Sequence, residues 1–124
     1  MLFTGLICLQ PTEQMIMRLV ITYITDYVMS VKLIAVLHCN LDAEETFEQE
    51  LKKLVEASIN DPGCLSYELY QYNNERCRYV IIEEWQDEQS LKQHQEAVHY
   101  KHFTRVSPVL LAKPAKIKTL TRLF

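Results

Sequence analysis

A chain of 124 residues, 48% hydrophobic and 23% charged, has the size and balance of one globular domain with a real core, and two separate domains would not fit. A formal net charge of -3 and a pI near 5.8 leave no global basic surface, which excludes nucleic acid as the expected partner. Cys8, Cys39, Cys64 and Cys77 fall at no CxxC or Cys/His ligand spacing. The chain is neither short nor loop-rich as disulfide-stapled secreted domains are, so reduced, mostly buried thiols and a cytoplasmic protein are expected.

Residues 1–28 read as an extension separate from a domain over 29–124. They hold a short apolar start, Pro11, and a β-branched run from Leu19 to Val28. No positive charge precedes the apolar start and no small-residue cleavage site follows it, so no signal peptide is expected. Arg18 and Asp26 bracket too few residues for a membrane span, which needs about twenty apolar ones. Ile16, Leu19, Val20, Tyr23, Ile24, Tyr27 and Val28 instead fall on one face of an amphipathic helix, fit to pack on the domain or on a partner subunit. An alternative reading places the natural start at Met29.

From Met29 onward the pattern is regular. Val31 to Cys39 is a nearly continuous apolar run of strand length. Asp42 stands three residues before Glu45 as in a capping box, and Phe47, Leu51, Leu54, Val55 and Ser58 mark the inner face of a helix lasting to about Ile59. Asn60-Asp61-Pro62-Gly63 breaks that helix, because proline cannot continue it and glycine supplies backbone freedom. A strand follows, with Leu65, Tyr67 and Leu69 on one face and Ser66, Glu68 and Tyr70 on the other. After a turn at Asn73-Asn74-Glu75, Arg78 to Trp85 forms the second arm of a hairpin, with Tyr79, Ile81, Glu83 and Trp85 on one face.

Asp87 suits the N-cap of a short helix in which Leu91, His94 and Val98 share a buried stripe. A second helical segment places His99, Phe103 and Val106 together and is expected to end at Pro108. Lys113 to Phe124 alternates as a half-exposed strand. The order β-α-β-β-α-β is that of a ferredoxin-like α+β domain, an antiparallel sheet with its helices on one face. The other face would leave apolar surface in water, which a twofold homodimer joined sheet to sheet would cover.

The segments PGCLSYEL, IIEEW and DEQSLKQHQEAVHYKHF resemble the antibiotic biosynthesis monooxygenase superfamily over roughly Val31 to Phe124. The spacing from Glu83 and Trp85 to His94, and on to His99, Tyr100 and Phe103, carries the match. The resemblance implies a dimeric α+β barrel. It also implies a group that includes quinol monooxygenases, polyketide-tailoring oxygenases, haem-degrading enzymes and an isomerase of phosphorylated autoinducer-2. The oxygenases among them work without flavin, metal or haem, so the resemblance implies no cofactor, with a small aromatic substrate and dioxygen as partners. The haem-degrading pattern of asparagine, tryptophan and histidine is replaced here by Leu37, His94 and Thr104, so haem breakdown does not fit.

On this reading His94 relays a phenolic proton, because imidazole titrates near neutral pH. Glu83 orients it or acts as base, and Tyr67, Trp85, His99, Tyr100 and Phe103 hold the ring. The plain alternatives stand beside these roles: His94 as a hydrogen-bonded core histidine, Trp85 as packing, Cys64 as a structural thiol. Glu83 on an apolar strand face needs a partner or a pocket. His99 and His102 have no carboxylate or cysteine at ligand spacing, so no metal site is expected. Three functions remain open. The first is a cofactor-independent monooxygenase of a quinol-like or polycyclic aromatic. The second is a non-oxidative isomerase of a small phosphorylated compound, with Lys92 and Lys101 as the available cations. The third is a non-catalytic dimer that binds a small apolar ligand.

Overall fold

The fold follows from where apolar side chains alternate and where they recur at helical spacing. The computed structural model describes residues 9–28 and 30–124, with side chains from residue 30 onward and at positions 9–22. Its elements are α1 (Pro11–Val28), β1 (Val31–His38), α2 (Glu44–Ser58), β2 (Cys64–Gln71), β3 (Arg78–Trp85), α3 (Glu88–Glu96), α4 (Val98–Leu110) and β4 (Lys116–Leu120). The four strands form one antiparallel sheet in the order β2-β3-β1-β4, the ferredoxin-like α+β arrangement.

One sheet face carries Leu33, Leu37, Tyr67, Tyr79, Ile81 and Trp85, and α2 sets Phe47, Leu51 and Leu54 against it. Phe47 meets Tyr79 edge-on at 5.8 Å and Phe103 of α4 at 6.0 Å. The register sets Ile34 opposite Ile82 and Val36 opposite Val80 on the far face, with Lys118, Lys116 and Tyr70 at its margins. On that face Val80 is buried and Ile34, Val36 and Ile82 are half-buried, while β4 is exposed along its whole length.

Several local expectations give way to backbone detail. The capping box at Asp42 does not form, because the chain enters α2 through a 3-10 turn over Leu41–Ala43 and Asp42 lies inside it. A bulge between Cys64 and Ser66 turns Leu65 outward, where it is exposed, while Tyr67 keeps its buried place. Val98 is 85% exposed instead of buried, since Ala97 is extended (φ -68°, ψ 150°) and breaks the helical stripe after His94. Pro108 sits inside α4, which runs on to Leu110. The final strand is confined to Lys116–Leu120.

In α1, Met15, Ile16, Leu19 and Val20 are exposed and do not pack on the domain. The expected contributions of Tyr23, Ile24, Tyr27 and Val28 to that face rest on side chains outside those described, and residues 1–8 lie outside the described residues. Among the described residues, no helix is long and apolar enough to cross a membrane.

Gly63 ties α2 to the sheet. Its φ is +78°, and its carbonyl accepts from Gln86 N–H at 2.8 Å. A Cβ at Gly63 would stand 2.0 Å from Ser90 Oγ. Gly63→Ala combines that overlap with an unfavourable backbone conformation, so a loss of about 2 kcal/mol or more is expected in denaturant unfolding. An unchanged midpoint would show that the turn does not need glycine.

Candidate functional site

The site is assembled by three interruptions of regular structure. After α2 the chain turns through Asp61-Pro62-Gly63, and Asp61 is left beneath the helical layer with a side chain 14% exposed. Asp87 caps α3 by accepting from Ser90 N–H at 2.7 Å, which fixes where α3 starts and brings His94 into its last turn. Ala97 then breaks the chain before α4 begins. In one continuous helix, residues five apart diverge by about 140°, at 100° per residue. The break cancels that divergence and turns His94 and His99 toward the same carboxylate.

His94 Nδ1 and His99 Nε2 each lie 2.7 Å from Asp61 Oδ2. A carboxylate oxygen only accepts, so each imidazole presents an N–H to it. That assignment leaves the His94 Nε2 lone pair free. Nε2 is buried and has no hydrogen-bond partner among the protein groups described.

Around His94 stand three rings: Trp85 at 4.5 Å and 31°, Tyr100 at 5.0 Å, and Tyr67 at 5.6 Å. Trp85 is fully buried and donates its indole N–H to Glu83 Oε1 at 3.1 Å. Glu83 therefore holds Trp85 rather than His94, and the orienting carboxylate is Asp61. The register sets Glu83 opposite Tyr67 on β2. Burial, then the neighbouring Glu83 charge, holds both the Tyr67 and the Tyr100 phenols above the ordinary tyrosine range, so both remain O–H groups.

The aromatic candidates divide into two places. Tyr67, Trp85 and Tyr100 surround His94, whereas Phe103 packs on Phe47 in the core. Phe103 and His99 also border a cleft of about 350 Å³ between α2 and α4, together with Glu50, Lys53, Leu54 and His102. His102 Nε2 meets Glu50 Oε2 there at 2.9 Å, away from Asp61. Burial raises the Glu50 carboxyl, but the His102 and Lys53 contacts outweigh it and leave it below the usual range. A second cleft, of about 570 Å³, lies near Glu44, Glu48 and Arg76 and shares no residue with the histidine site.

Asp61 is the residue that pattern reasoning passed over. It was visible as part of a helix-breaking turn, and its carboxylate beside the histidines is a contact across 33 residues of sequence. The missing carboxylate that made a metal set incomplete at His99 is thus supplied by the turn. Asp61, His94 and His99 offer donor atoms all within 4.8 Å of one another.

Comparison with known proteins places the domain in a family. The family model described as antibiotic biosynthesis monooxygenase matches residues 30–106, which hold Asp61, Glu83, His94 and His99. The chain belongs to that family. Its relatives include sll1783 of Synechocystis sp., 35% identical over 77 residues, or 62% of this chain and 52% of that protein. The match thus spans about half of that relative's length. A Bacillus subtilis (strain 168) protein with a provisional monooxygenase name, YcnE, is 30% identical over 61% of this chain and 80% of its own. Among solved structures, PA3566 from Pseudomonas aeruginosa is 34% identical, with a TM-score of 0.73 over 77% of this chain and 96% of that one.

The carboxylates of the site are felt at Cys64, whose thiol is pushed up to about 11 by burial first and then by the charges of Asp61 and Glu83. In a Cys8→Ser background, Cys64 of the folded protein should react with a disulfide reagent about a hundredfold slower at pH 8 than in the unfolded chain. Its rate should climb about tenfold per pH unit up to about pH 11. Rapid labelling at pH 8 would contradict a thiol held neutral beside two carboxylates.

Proposed function

We propose that this protein oxygenates an electron-rich hydroxyaromatic compound, quinol-like or polycyclic, with dioxygen and without a cofactor. The observation that carries the reading is His94: one ring nitrogen fixed on Asp61 at 2.7 Å, the other buried, unpartnered and ringed by Trp85, Tyr100 and Tyr67. An imidazole so held is a base with a set tautomer, as in other carboxylate-histidine pairs. The aromatic surroundings suit a flat substrate, and membership of a family described by monooxygenase chemistry supports the reaction class.

The reaction is balanced by the substrate itself. His94 Nε2 takes the phenolic proton, and the resulting phenolate passes one electron to dioxygen. The aryloxyl radical and superoxide combine at a ring carbon ortho or para to that oxygen and bearing one hydrogen, forming a C–O bond. The peroxide so formed takes back the proton from His94, its O–O bond breaks, and water leaves with the hydrogen of that carbon as a carbonyl forms. One oxygen atom ends in the product and one in water, and all four electrons come from the substrate. A dry, preorganised site favours this charge movement.

A phosphorylated substrate fits less well. The carboxylates of Asp61 and Glu83 oppose a phosphate at His94, and Lys101 is ion-paired at 2.8 Å with exposed Glu96.

The purified protein, with no cofactor added, should consume oxygen faster than buffer with a reduced naphthoquinone or an anthrone. His94→Ala should lose about a hundredfold or more of that rate, the range of a positioned general base. Equal rates for the two proteins would sink the reading, and product formed under strict anaerobiosis would favour the isomerase instead.

We further propose that the working form is a homodimer joined across the far sheet face. Ile34, Val36, Val80 and Ile82 lie at its centre and Tyr70, 48% exposed, at its margin. Light scattering should return about twice the chain mass of 14.6 kDa, and Ile82→Glu should halve it. A monomer at micromolar concentration would exclude this assembly.

A further inference from the structure

Asp61, His94 and His99 come from the turn after α2, the last turn of α3 and the first turn of α4, and they converge on one point. A carboxylate and two imidazoles form a donor set suited to zinc and its neighbours in the first transition row. As the site stands, each nitrogen is 2.7 Å from Asp61 Oδ2, a hydrogen-bond length. Ligands bonded at 2.0–2.1 Å around a tetrahedral zinc lie about 3.3 Å apart, so each contact must open by about half an ångström.

The structure shows which groups can give. The His94 side chain is 0% exposed and stacked on Trp85, and serves as the fixed ligand. The side chains of Asp61 and His99 are 14% and 24% exposed, and His99 borders the α2–α4 cleft. His99, at that cleft, is the most accessible of the three donors. The charge is also favourable. Asp61 is hydrogen-bonded to the two histidines and, among the described residues, ion-paired to no lysine or arginine.

We infer that Asp61, His94 and His99 form a binding site for one late first-row divalent cation per chain, and that the cation competes with substrate for the base. Binding moves the His94 hydrogen from Nδ1 to Nε2 and the His99 hydrogen from Nε2 to Nδ1. Both imidazoles stay neutral and no proton is released. The Nε2 lone pair that takes the substrate proton is thereby lost, so the metal-bound protein is silent. That second consequence rests on the oxygenase reading; the binding does not.

Chelator-treated, dialysed full-length protein is to be titrated with zinc by calorimetry and with cobalt(II) by visible absorption. One ion per chain and the intense bands of tetrahedral cobalt are expected. Affinity should fall by at least about tenfold in His99→Ala and in Asp61→Asn. His99→Gln, which retains an N–H for Asp61 but no imidazole, should fall likewise and guards against a folding defect. His102→Ala, at the neighbouring Glu50 pair, should bind as the parent does. No saturable binding, or the same loss in His102→Ala, overturns the site. Calorimetry decides this with or without turnover. Zinc inhibition of oxygen uptake that tracks occupancy then supports the competition, and full turnover by the zinc-loaded protein overturns it.

Discussion

One carboxylate oxygen, Asp61 Oδ2, accepts from two imidazoles, and the layout of the helical layer serves that contact. A buried imidazole with neither nitrogen paired would carry a desolvation cost of about 1–3 kcal/mol. Asp61 removes half of that exposure to loss and decides which half remains. The turn that carries it depends on Gly63, whose missing side chain leaves room for Ser90, and Ser90 in turn gives its N–H to the Asp87 cap. The α2 terminus and the α3 start are thus held against each other at the point where Asp61 meets His94. Ala97 completes the arrangement by bending the chain so that His99 returns to the same oxygen.

Two carboxylates that meet histidines lie close together and differ in kind. The Glu50–His102 pair is partly exposed, shares its carboxylate with Lys53 and borders an open cleft. Such pairs contribute little to stability, because water solvates both partners well. The Asp61–His94 pair sits under the helices against a fully buried tryptophan, where the local dielectric is lower. The first is a surface latch between α2 and α4, and the second is the buried pair on which the proposed proton transfer rests. Glu83 places a second carboxylate near the site from the sheet, where it accepts the indole N–H of Trp85.

The sheet was legible because its residues alternate. Tyr79, Ile81 and Trp85 are buried as the period of two requires, and Phe47, Leu51 and Leu54 as helical spacing requires. The α3 cap at Asp87 and the burial of His94 were likewise written locally. What sequence periodicity could not carry were departures from period. The bulge that exposes Leu65 and the break that exposes Val98 each reset the count by a residue or two, and no local residue announces them. Proline was over-read at 108. It lacks only one donor near a helix end, where the following carbonyl contacts are already loosening, and Leu111 N–H still reaches Ser107 O at 2.9 Å. Within the site, His94, Trp85, Tyr67 and Tyr100 could be nominated by type and face. Asp61 could not, because its value lies in a tertiary contact and its local role as a helix breaker already explained it.

The only tryptophan of the chain is the ring stacked on His94. Intrinsic fluorescence excited at the red edge, where indole absorbs and phenol does not, therefore comes from one fluorophore within van der Waals reach of the proposed base. Gain of a proton, a cation or an aromatic guest at His94 changes the immediate neighbour of that fluorophore. The chain carries its own optical probe, placed at the site and needing no label.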